Sequence, residues 1–457
     1  MDLARPSILR VRRLPVKDGS RCVRPVCRGV KPSDVPARPR HGLAQVRIDD
    51  EVVVYDASND TAHLLNPSAA AIWSLLDGER DATAVGAVLA DRFPGADEQV
   101  RADVQAALDA FDGLGLLDDV EPTATDSAPG TSTSPDAASG GSSPDDQAGV
   151  PPVVPVLPSP LADLPAGDDA RTVRSAPYDA LGYRFAVNAE PDLLARIDAT
   201  LAALRRTEEE APTHEIRLVR APQSDAPAGD GDDGTPVLLT LDGVQLRHGP
   251  LDVVTSDLLW EINNRAVSRP HDSLVFHAAV CAGPDGRAVV LAGTANAGKS
   301  TLVTGLVRDG FTYLTDEAAA LAPERDEVVS YPKPIGLDPG SWPVFPDLAH
   351  LDRGLSSSRW WLDAAALGAP VAPPGSTHPV AQVAFVRYEA GAAPEVQQLR
   401  PVEAVLALAE NLFNLADHGQ QGLDRLARLA LAVPCHRVVY GSLDDAIAQV
   451  RGLLDEP

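Results

Sequence analysis

A glycine-rich segment that ends in lysine and serine has the spacing of a phosphate-binding loop. Its residues are Gly293, Thr294, Ala295, Asn296, Ala297, Gly298, Lys299 and Ser300, followed by Thr301. Glycines let successive backbone N–H groups turn toward phosphate oxygens, and the N-terminus of the following helix adds partial positive charge. Lys299 is expected to reach the β- and γ-phosphates, and the Ser300 hydroxyl to ligate Mg²⁺. The spacing therefore predicts that these nine residues bind ATP and Mg²⁺.

The residues around the loop have the pattern that such a site requires. Residues 288–292 are apolar and β-branched, which predicts a strand, and residues 301–307 have apolar side chains at helical spacing. Upstream, residues 274–280 form a second strand-like run, and the turn residues Pro284-Asp285-Gly286 fold it back as a hairpin. The sequence therefore predicts strand, loop and helix in the order that a phosphate-binding loop needs.

A pair of carboxylates closes the next predicted strand, residues 310–317. Asp316 and Glu317 are expected to face the phosphates, because ligands gather at the carboxyl ends of strands in α/β sheets. We expect Asp316 to be the base and Glu317 the metal or water ligand, with both near Mg²⁺. A solvated strand end is the alternative for the pair. His277, alone in an apolar strand, is either a hydrogen-bonded core residue or a functional one.

The order of these motifs resembles the catalytic core of the HPr kinase/phosphorylase family, which phosphorylates a protein serine with ATP and Mg²⁺. The resemblance implies roles for His277, Lys299, Ser300 and Asp316. Glu317 stands where the family has a second aspartate, and the family's second, basic glycine-rich loop has no clear match, so phosphorylase activity is not carried over. The segment 331–337 resembles the Pro-Lys-Pro segment of kinase-like proteins of ribosomal-peptide clusters, including lasso-peptide tailoring kinases. Lys333 would there supply a second cation near the phosphates, unless it is a surface lysine of a proline-stiffened loop.

The N-terminal part of the chain has the pattern of a small, separate module. Residues 44–48, 51–55 and 61–65 predict a three-stranded meander. Asn66-Pro67 then opens a helix that runs to Leu76, and residues 83–93 and 98–111 predict two more helices. A small sheet with three helices is typical of a winged-helix-like α+β module. The module lacks cysteine and has a single interior histidine, which indicates binding rather than catalysis.

Three stretches of this module, 53–56, 63–73 and 77–78, resemble the PqqD-like family of peptide-recognition elements. Members of that family bind the leader of a ribosomal precursor peptide as an added strand beside their sheet, against the third helix. The resemblance implies two groups of contact residues, Thr61, His63, Leu64 and Leu65 on the strand and Val100, Val104 and Leu108 on the helix. The helix positions are also those that the module's own core needs. A DNA-binding winged helix is disfavoured, because the predicted third helix has one arginine among five carboxylates, which would repel phosphate.

Composition separates four regions along the chain. Residues 1–40 carry eleven Lys or Arg against three Asp, and are expected to be a basic, disordered tail. Residues 121–170 have eight acidic residues and no Lys, Arg or aromatic residue, which predicts a disordered linker spanning roughly 40 Å. The net charge of −26 disfavours nucleic acid and anionic membranes as partners. No apolar run reaches the roughly 18 residues of a membrane span and the N-terminus lacks the apolar stretch of a signal peptide, which favours the cytoplasm. Four cysteines without metal spacing favour reduced thiols.

The sequence thus predicts an α/β protein in which a PqqD-like domain, residues 41–120, is linked to an HPr kinase-like P-loop domain, residues 171–457. The predicted function is a kinase that phosphorylates a Ser or Thr hydroxyl of a ribosomal precursor peptide held by its leader. One alternative is an ATP-gated scaffold or chaperone that passes the peptide to other maturation enzymes, and another is a kinase for a carrier protein. No pattern exposes an oligomer interface, so a homo-oligomer stays open.

Overall fold

The computed structural model describes residues 10–13, 36–91, 97–118, 172–206, 211–220, 236–269, 272–352 and 355–455. The chain forms two compact units, the first built mainly from residues up to 161 and the second mainly from residues 162 onward. The predicted linker, 121–170, lies outside the described residues. The fold is mixed α/β, with a small N-terminal α+β module and a C-terminal domain rich in sheet, as the sequence predicts.

The N-terminal module contains a four-stranded antiparallel sheet rather than the predicted three-stranded meander. Its strands are β1 (Arg10–Arg13), β2 (Leu43–Ile48), β3 (Glu51–Asp56) and β4 (Thr61–Leu65). Their order is β1-β4-β3-β2, so β2 to β4 confirm the prediction and β1 is an addition. The expectation of a wholly disordered tail over residues 1–40 is therefore corrected. Backbone pairing to β4 orders residues 10–13, and Ala37 is buried in the module core.

Three helices cover one face of this sheet. They are α1 (Pro67–Trp73), α2 (Ala82–Ala90) and α3 (Asp97–Gly113). Asn66 caps α1 as predicted, because its side-chain oxygen accepts a hydrogen bond of 2.9 Å from the Ala69 backbone N–H. The rings of Trp73 and Phe111 meet edge to face at 5.1 Å between α1 and α3. The buried apolar faces of the sheet and helices form the single core that the sequence pattern requires.

The C-terminal domain begins with a six-stranded sheet and two helices. The elements are β5 (Val173–Arg174), β6 (Tyr178–Ala180), β7 (Tyr183–Ala189), α4 (Pro191–Thr200), β8 (His214–Arg220), β9 (Val237–Leu241), β10 (Val244–Gly249) and α5 (Leu251–Ser268). The helix α4 ends at Thr200, and a 3-10 turn follows at Ala202–Leu204.

A second sheet of eight strands positions the phosphate-binding loop. The elements up to its centre are β11 (Leu274–Ala282), β12 (Ala288–Ala292), α6 (Lys299–Arg308), β13 (Thr312–Thr315), β14 (Ala318–Leu321) and β15 (Glu327–Val329). A two-stranded ribbon, β16 (Ile335–Leu337) with β17 (Trp360–Leu362), lies outside this sheet. The predicted hairpin is confirmed, since β11 and β12 pair antiparallel from Ala278 with Ala292 to Ala282 with Ala288. On its other side, β12 pairs parallel with β18 (Thr377–Tyr388).

The remaining elements complete the sheet and cover it. They are β19 (Glu395–Gln398), α7 (Pro401–Glu410), α8 (Leu415–Ala432), β20 (Cys435–Tyr440) and α9 (Leu443–Asp455). The helix α7 ends at Glu410, because the next residues pair with β11 instead. The His277 N–H donates to the Asn411 carbonyl at 2.7 Å, and the Phe413 N–H donates to the Val275 carbonyl at 2.8 Å. Among the described helices, none has both the length and the apolar composition needed to cross a membrane.

Candidate functional site

The phosphate-binding loop lies between β12 and α6, as the sequence predicts. Two of its residues, Asn296 and Gly298, have left-handed backbone conformations, with φ of 63° and 92°. A β-carbon at Gly298 would lie 2.3 Å from the Tyr440 hydroxyl oxygen, so this position needs glycine for space as well as for conformation. The loop therefore turns tightly into the N-terminus of α6, beneath the end of β20.

The ammonium group of Lys299 lies inside the loop. Its Nζ donates to the carbonyl oxygens of Gly293 at 2.7 Å and Thr294 at 2.9 Å, and the residue is 7% exposed. Because a lysine ammonium is a mobile point charge with three donors, it can exchange carbonyl contacts for phosphate oxygens. The loop thus holds a cation where the predicted β- and γ-phosphates would enter.

Asp316 lies beside the loop, after β13, and is buried. The Ser300 hydroxyl donates to its Oδ1 at 3.0 Å, and the backbone N–H of Gly336 donates to its Oδ2 at 3.3 Å. Burial raises the pKa of Asp316 above its ordinary value, and the neighbouring Glu317 raises it further, while Lys333 and the two hydrogen bonds oppose the shift. A hydroxyl and a carboxylate at this distance are oxygen ligands of the kind that Mg²⁺ prefers. Within the described ranges, no group of three or more His, Cys, Asp or Glu side chains is placed to hold a metal ion.

Glu317 points to a different set of partners than Asp316. Its Oε2 lies 3.2 Å from Nζ of Lys333, and its side chain is 39% exposed, whereas that of Lys333 is 6% exposed. Burial would raise the pKa of Glu317, but Lys333, His277 and Arg359 together hold it below its ordinary value. The backbone of Glu317 has a φ of 102°, which is strained for a non-glycine residue. Strained backbone of this kind is concentrated at functional sites of proteins. Two backbone hydrogen bonds between Glu317 and Ala278 of β11 hold the strained conformation in place.

His277 and Lys333 both carry charge that acts on Glu317, and Lys333 also pairs with it directly. The half-buried His277 lies in β11, and its ring centroid is 5.5 Å from that of Phe413. Its N–H bond to Asn411 and the Asn414 side-chain bonds to β11 and to Ser273 hold this strand end in place. Contacts therefore link Ser300 to Asp316 and Lys333 to Glu317, and the charge of His277 acts on the same glutamate.

An aromatic and basic cluster borders this group on the β16–β17 ribbon. Nζ of Lys333 lies 5.7 Å from the centre of the Trp361 ring, and the Arg359 guanidinium lies 5.3 Å from the same ring. Arg359 also forms an ion pair with Asp338 at 2.7 Å. The Gly336 N–H brings this ribbon to Asp316, and a β-carbon at Gly336 would lie tightly against Arg359, 3.0 Å from its Cδ. The Pro-Lys-Pro motif predicts Lys333 here, but the roles of Gly336 and Trp361 follow only from strand pairing, which has no local signal.

The predicted peptide-contact residues divide into two groups. Thr61, His63, Leu64 and Leu65 lie on β4, whose edge is paired with β1. Val100, Val104 and Leu108 are buried in the module's own core, so little of their surface is open in this conformation. Burial lowers the pKa of His63, whose Nδ1 has no hydrogen-bond partner among the described residues. The edge of β4 is therefore the part of the predicted peptide site where a strand can pair, and in this conformation β1 is paired there.

Comparison with known proteins identifies the N-terminal module. Residues 51–117 match the family model described as coenzyme PQQ synthesis protein D (PqqD). A structure of TbiB1 in complex with the TbiA(beta) leader peptide shares 22% identity, over 19% of this chain and 99% of that chain, with a TM-score of 0.18. The Hpr(Ser) kinase/phosphatase from Coxiella burnetii shares 14% identity, over 40% of this chain and 99% of that chain, with a TM-score of 0.23. No curated protein matches the sequence. Residues 51–117 are thus a PqqD domain.

Proposed function

We propose that this protein is a kinase that transfers the γ-phosphate of ATP to a Ser or Thr hydroxyl of a ribosomally synthesised precursor peptide. The observation that carries the proposal is the contact between the loop hydroxyl of Ser300 and the carboxylate of Asp316, next to the Glu317–Lys333 pair. A phosphate loop, a metal-ligand pair and a second carboxylate are the parts that phosphoryl transfer requires. The PqqD domain supports a peptide as the substrate.

Ser300 and Asp316 would hold Mg²⁺, which when bound neutralises charge on the phosphate oxygens. Both oxygens of Asp316 already accept hydrogen bonds, from Ser300 and from Gly336, and the residue is 2% exposed. An approaching peptide hydroxyl would find little access to such a group. We therefore propose that Asp316 is a ligand of Mg²⁺ and not the base that accepts the proton of the peptide hydroxyl.

Glu317 would accept the proton of the attacking hydroxyl. Its side chain is more exposed than that of Asp316, and Lys333 holds it in a fixed direction. The peptide oxygen forms its bond to Pγ as the bond from Pγ to the β-phosphate oxygen breaks, and the proton passes to Glu317 while ADP leaves. This assignment reverses the roles expected for Asp316 and Glu317 from their order in the sequence. The reason is that the turn after β13 directs the first carboxylate toward Ser300 and the second toward Lys333.

The cations would act on the phosphates and on the base. Lys299 would leave its two loop carbonyls for the β- and γ-phosphates, and stabilise the charge that develops there. Lys333 would keep Glu317 ionised and oriented, and His277 would position the same carboxylate or relay its proton. Because the pKa of Glu317 is held below its ordinary value, the base would be ionised throughout the neutral range.

The leader of the precursor would bind the PqqD domain by strand addition at the edge of β4, where the chain already forms an antiparallel pair. Capture by the leader raises the local concentration of the acceptor residue near the kinase site, typically into the millimolar range for flexible tethers. Recognition would therefore depend on the leader, and chemistry on the acceptor hydroxyl.

The test is intact-mass analysis of the precursor peptide encoded beside this gene, incubated with the protein, ATP and Mg²⁺. A gain of about 80 Da per phosphate is expected, and fragmentation would locate the acceptor. Lys299→Ala should abolish the gain. Arg308→Ala is the matched control, because it removes an exposed cation, paired with Asp347, from the other end of the same helix.

Other outcomes would identify the alternatives. Leader binding without any mass gain in the wild-type protein would refute the kinase and favour an ATP-gated scaffold. Phosphorylation of a carrier protein but not of the precursor would refute the peptide substrate while leaving the phosphoryl-transfer site intact.

A further inference from the structure

The edge of β4 is the surface on which leader capture depends, and a segment of the same chain lies on it. Residues 10–13 pair antiparallel with β4 in a register that joins Arg10 to Leu64, Val11 to His63, Arg12 to Ala62 and Arg13 to Thr61. The four pairs are consecutive and cover four of the five residues of β4. The backbone edge that an incoming peptide strand would use is therefore occupied from within the chain.

We propose that residues 10–13 are an internal competitor for the leader, which covers the peptide-binding edge until a precursor displaces them. The inference rests on the proposed leader-binding function of the module and adds the state from which binding begins. An unpaired strand edge exposes N–H and C=O groups to other strands, and proteins commonly cover such edges. A segment that pairs with β4 by the same backbone hydrogen bonds as a leader must compete with it.

Charge and chain length fit this occupant. Three of the four residues in 10–13 are arginines, and the module that receives them, residues 41–118, has 15 Asp or Glu against four Arg. The segment 14–35 joins the strand to the rest of the module, and 22 residues can span at most about 70–80 Å. This length allows residues 10–13 to reach the edge and to leave it.

The competition has a magnitude that can be measured. Short tethers in general give effective concentrations of about 1 mM. If the free segment binds the edge with a Kd of about 0.1 mM, a typical weak strand addition, the tether would weaken any competing peptide about tenfold. A natural leader must then bind through contacts beyond those that the tail makes.

The experiment uses the full chain and a fluorescent synthetic peptide with the sequence of residues 8–15. The double variant Val11→Pro/Arg12→Pro removes the backbone N–H groups of two consecutive residues, so one of them faces β4 whichever way the strand alternates. Val23→Pro/Arg24→Pro is the matched control, with the same residue types and charge change in the same basic segment. Fluorescence anisotropy measures peptide affinity, and hydrogen exchange measures protection of the β4 amides.

The expected result is that the Val11→Pro/Arg12→Pro variant binds the peptide about tenfold more tightly than the wild type, while the control variant binds it as the wild type does. Faster exchange of alternate amides within residues 61–65 should accompany the gain. Equal affinity of the wild type and the Val11→Pro/Arg12→Pro variant, with unchanged exchange, would overturn the inference.

The authentic leader, measured in the same assay, separates this inference from the proposed function. A leader that binds the wild type and the Val11→Pro/Arg12→Pro variant equally well overturns internal competition but supports leader capture. In the other informative outcome, the leader binds neither protein while the synthetic peptide binds the variant tenfold more tightly than the wild type. That result supports internal pairing and refutes leader capture.

Discussion

The close approach of β20 to the phosphate loop gives a sharp test of the loop's geometry. At Gly298, φ is 92°, and an added β-carbon would lie 2.3 Å from the Tyr440 hydroxyl oxygen and 3.2 Å from Cβ of Tyr388. Gly298→Ala should therefore cost about 1–2 kcal/mol for the left-handed backbone and about 1–3 kcal/mol for overpacking. The expected total is about 3 kcal/mol of the free energy of unfolding, or about 6–9 °C in the Tm of the C-terminal domain.

Two companion variants separate the two contributions. Gly310→Ala is the control for backbone strain, because Gly310 has a φ of 97° but no heavy atom within 4 Å of an added β-carbon. It should cost only the 1–2 kcal/mol of the backbone. Tyr440→Phe in the Gly298→Ala background removes the oxygen at 2.3 Å and leaves the ring carbon at 3.3 Å, so it should restore most of the packing loss. Alone it should cost less than about 1 kcal/mol, because the Tyr440 hydroxyl lies 3.4 Å from the Ala297 carbonyl oxygen, too far for a strong bond.

The assays are thermal unfolding and ATP binding by calorimetry. Gly298→Ala should weaken ATP binding at least tenfold, because relief of the clash moves the loop, whereas Gly310→Ala should leave it unchanged. If Gly298→Ala costs no more stability than Gly310→Ala, or if Tyr440→Phe restores nothing, the packing argument for this loop is wrong.

Four further substitutions test the site and the PqqD domain. Asp316→Asn should raise the Mg²⁺ concentration needed for ATP binding measured by calorimetry; an unchanged Mg²⁺ dependence would contradict its place beside Ser300. Glu317→Gln should keep that dependence but lower phosphate transfer by at least about 100-fold in a radiolabel assay, and near-normal transfer would exclude it as the base. Asn66→Ala should cost about 1 kcal/mol, seen as a fall of about 4–8 °C in the Tm of the PqqD domain, because the Ala69 N–H loses its cap; no change would show the cap to be replaceable. Because burial puts the pKa of His63 below 6.5 in the fold, the unfolded chain takes up the proton first, so the domain should lose stability as pH falls below about 6.5. Urea midpoints against pH measure this loss, and His63→Leu should flatten it.

Local patterns predicted the elements that depend on neighbouring residues. The strand, loop and helix around Lys299 follow from glycine spacing and apolar periodicity. The predicted strand is confirmed by β12 and the predicted helix by α6. The Asn66-Pro67 start of α1 follows from capping chemistry within four residues. These predictions succeed because the forces that decide them act within one or two turns of the chain.

Predictions failed or stayed incomplete where distant backbone pairing decides the structure. Helix α7 stops at Glu410 because residues 411–413 pair with β11, a strand more than 100 residues earlier in the chain. The sequence predicted that residues 10–13 belong to a charged tail. Three arginines and a valine have no alternating apolar pattern that would indicate a strand, and the partner strand lies about 50 residues later in the chain. Propensity is a weak guide wherever the partner strand is remote in sequence.

By itself, the sequence determined that a glycine-rich loop joins a strand to a helix, that an acid pair follows the next strand and that the chain contains a PqqD-type module. Only the tertiary structure decided which carboxylate meets Ser300 and which meets Lys333, because these partners come from separate parts of the chain and Glu317 has a strained backbone. The structure also decided that the edge of β4 is paired with the chain's own residues 10–13. Residue types and spacing fix which chemistry is available, while side-chain direction and strand pairing depend on contacts between parts of the chain that are far apart in sequence.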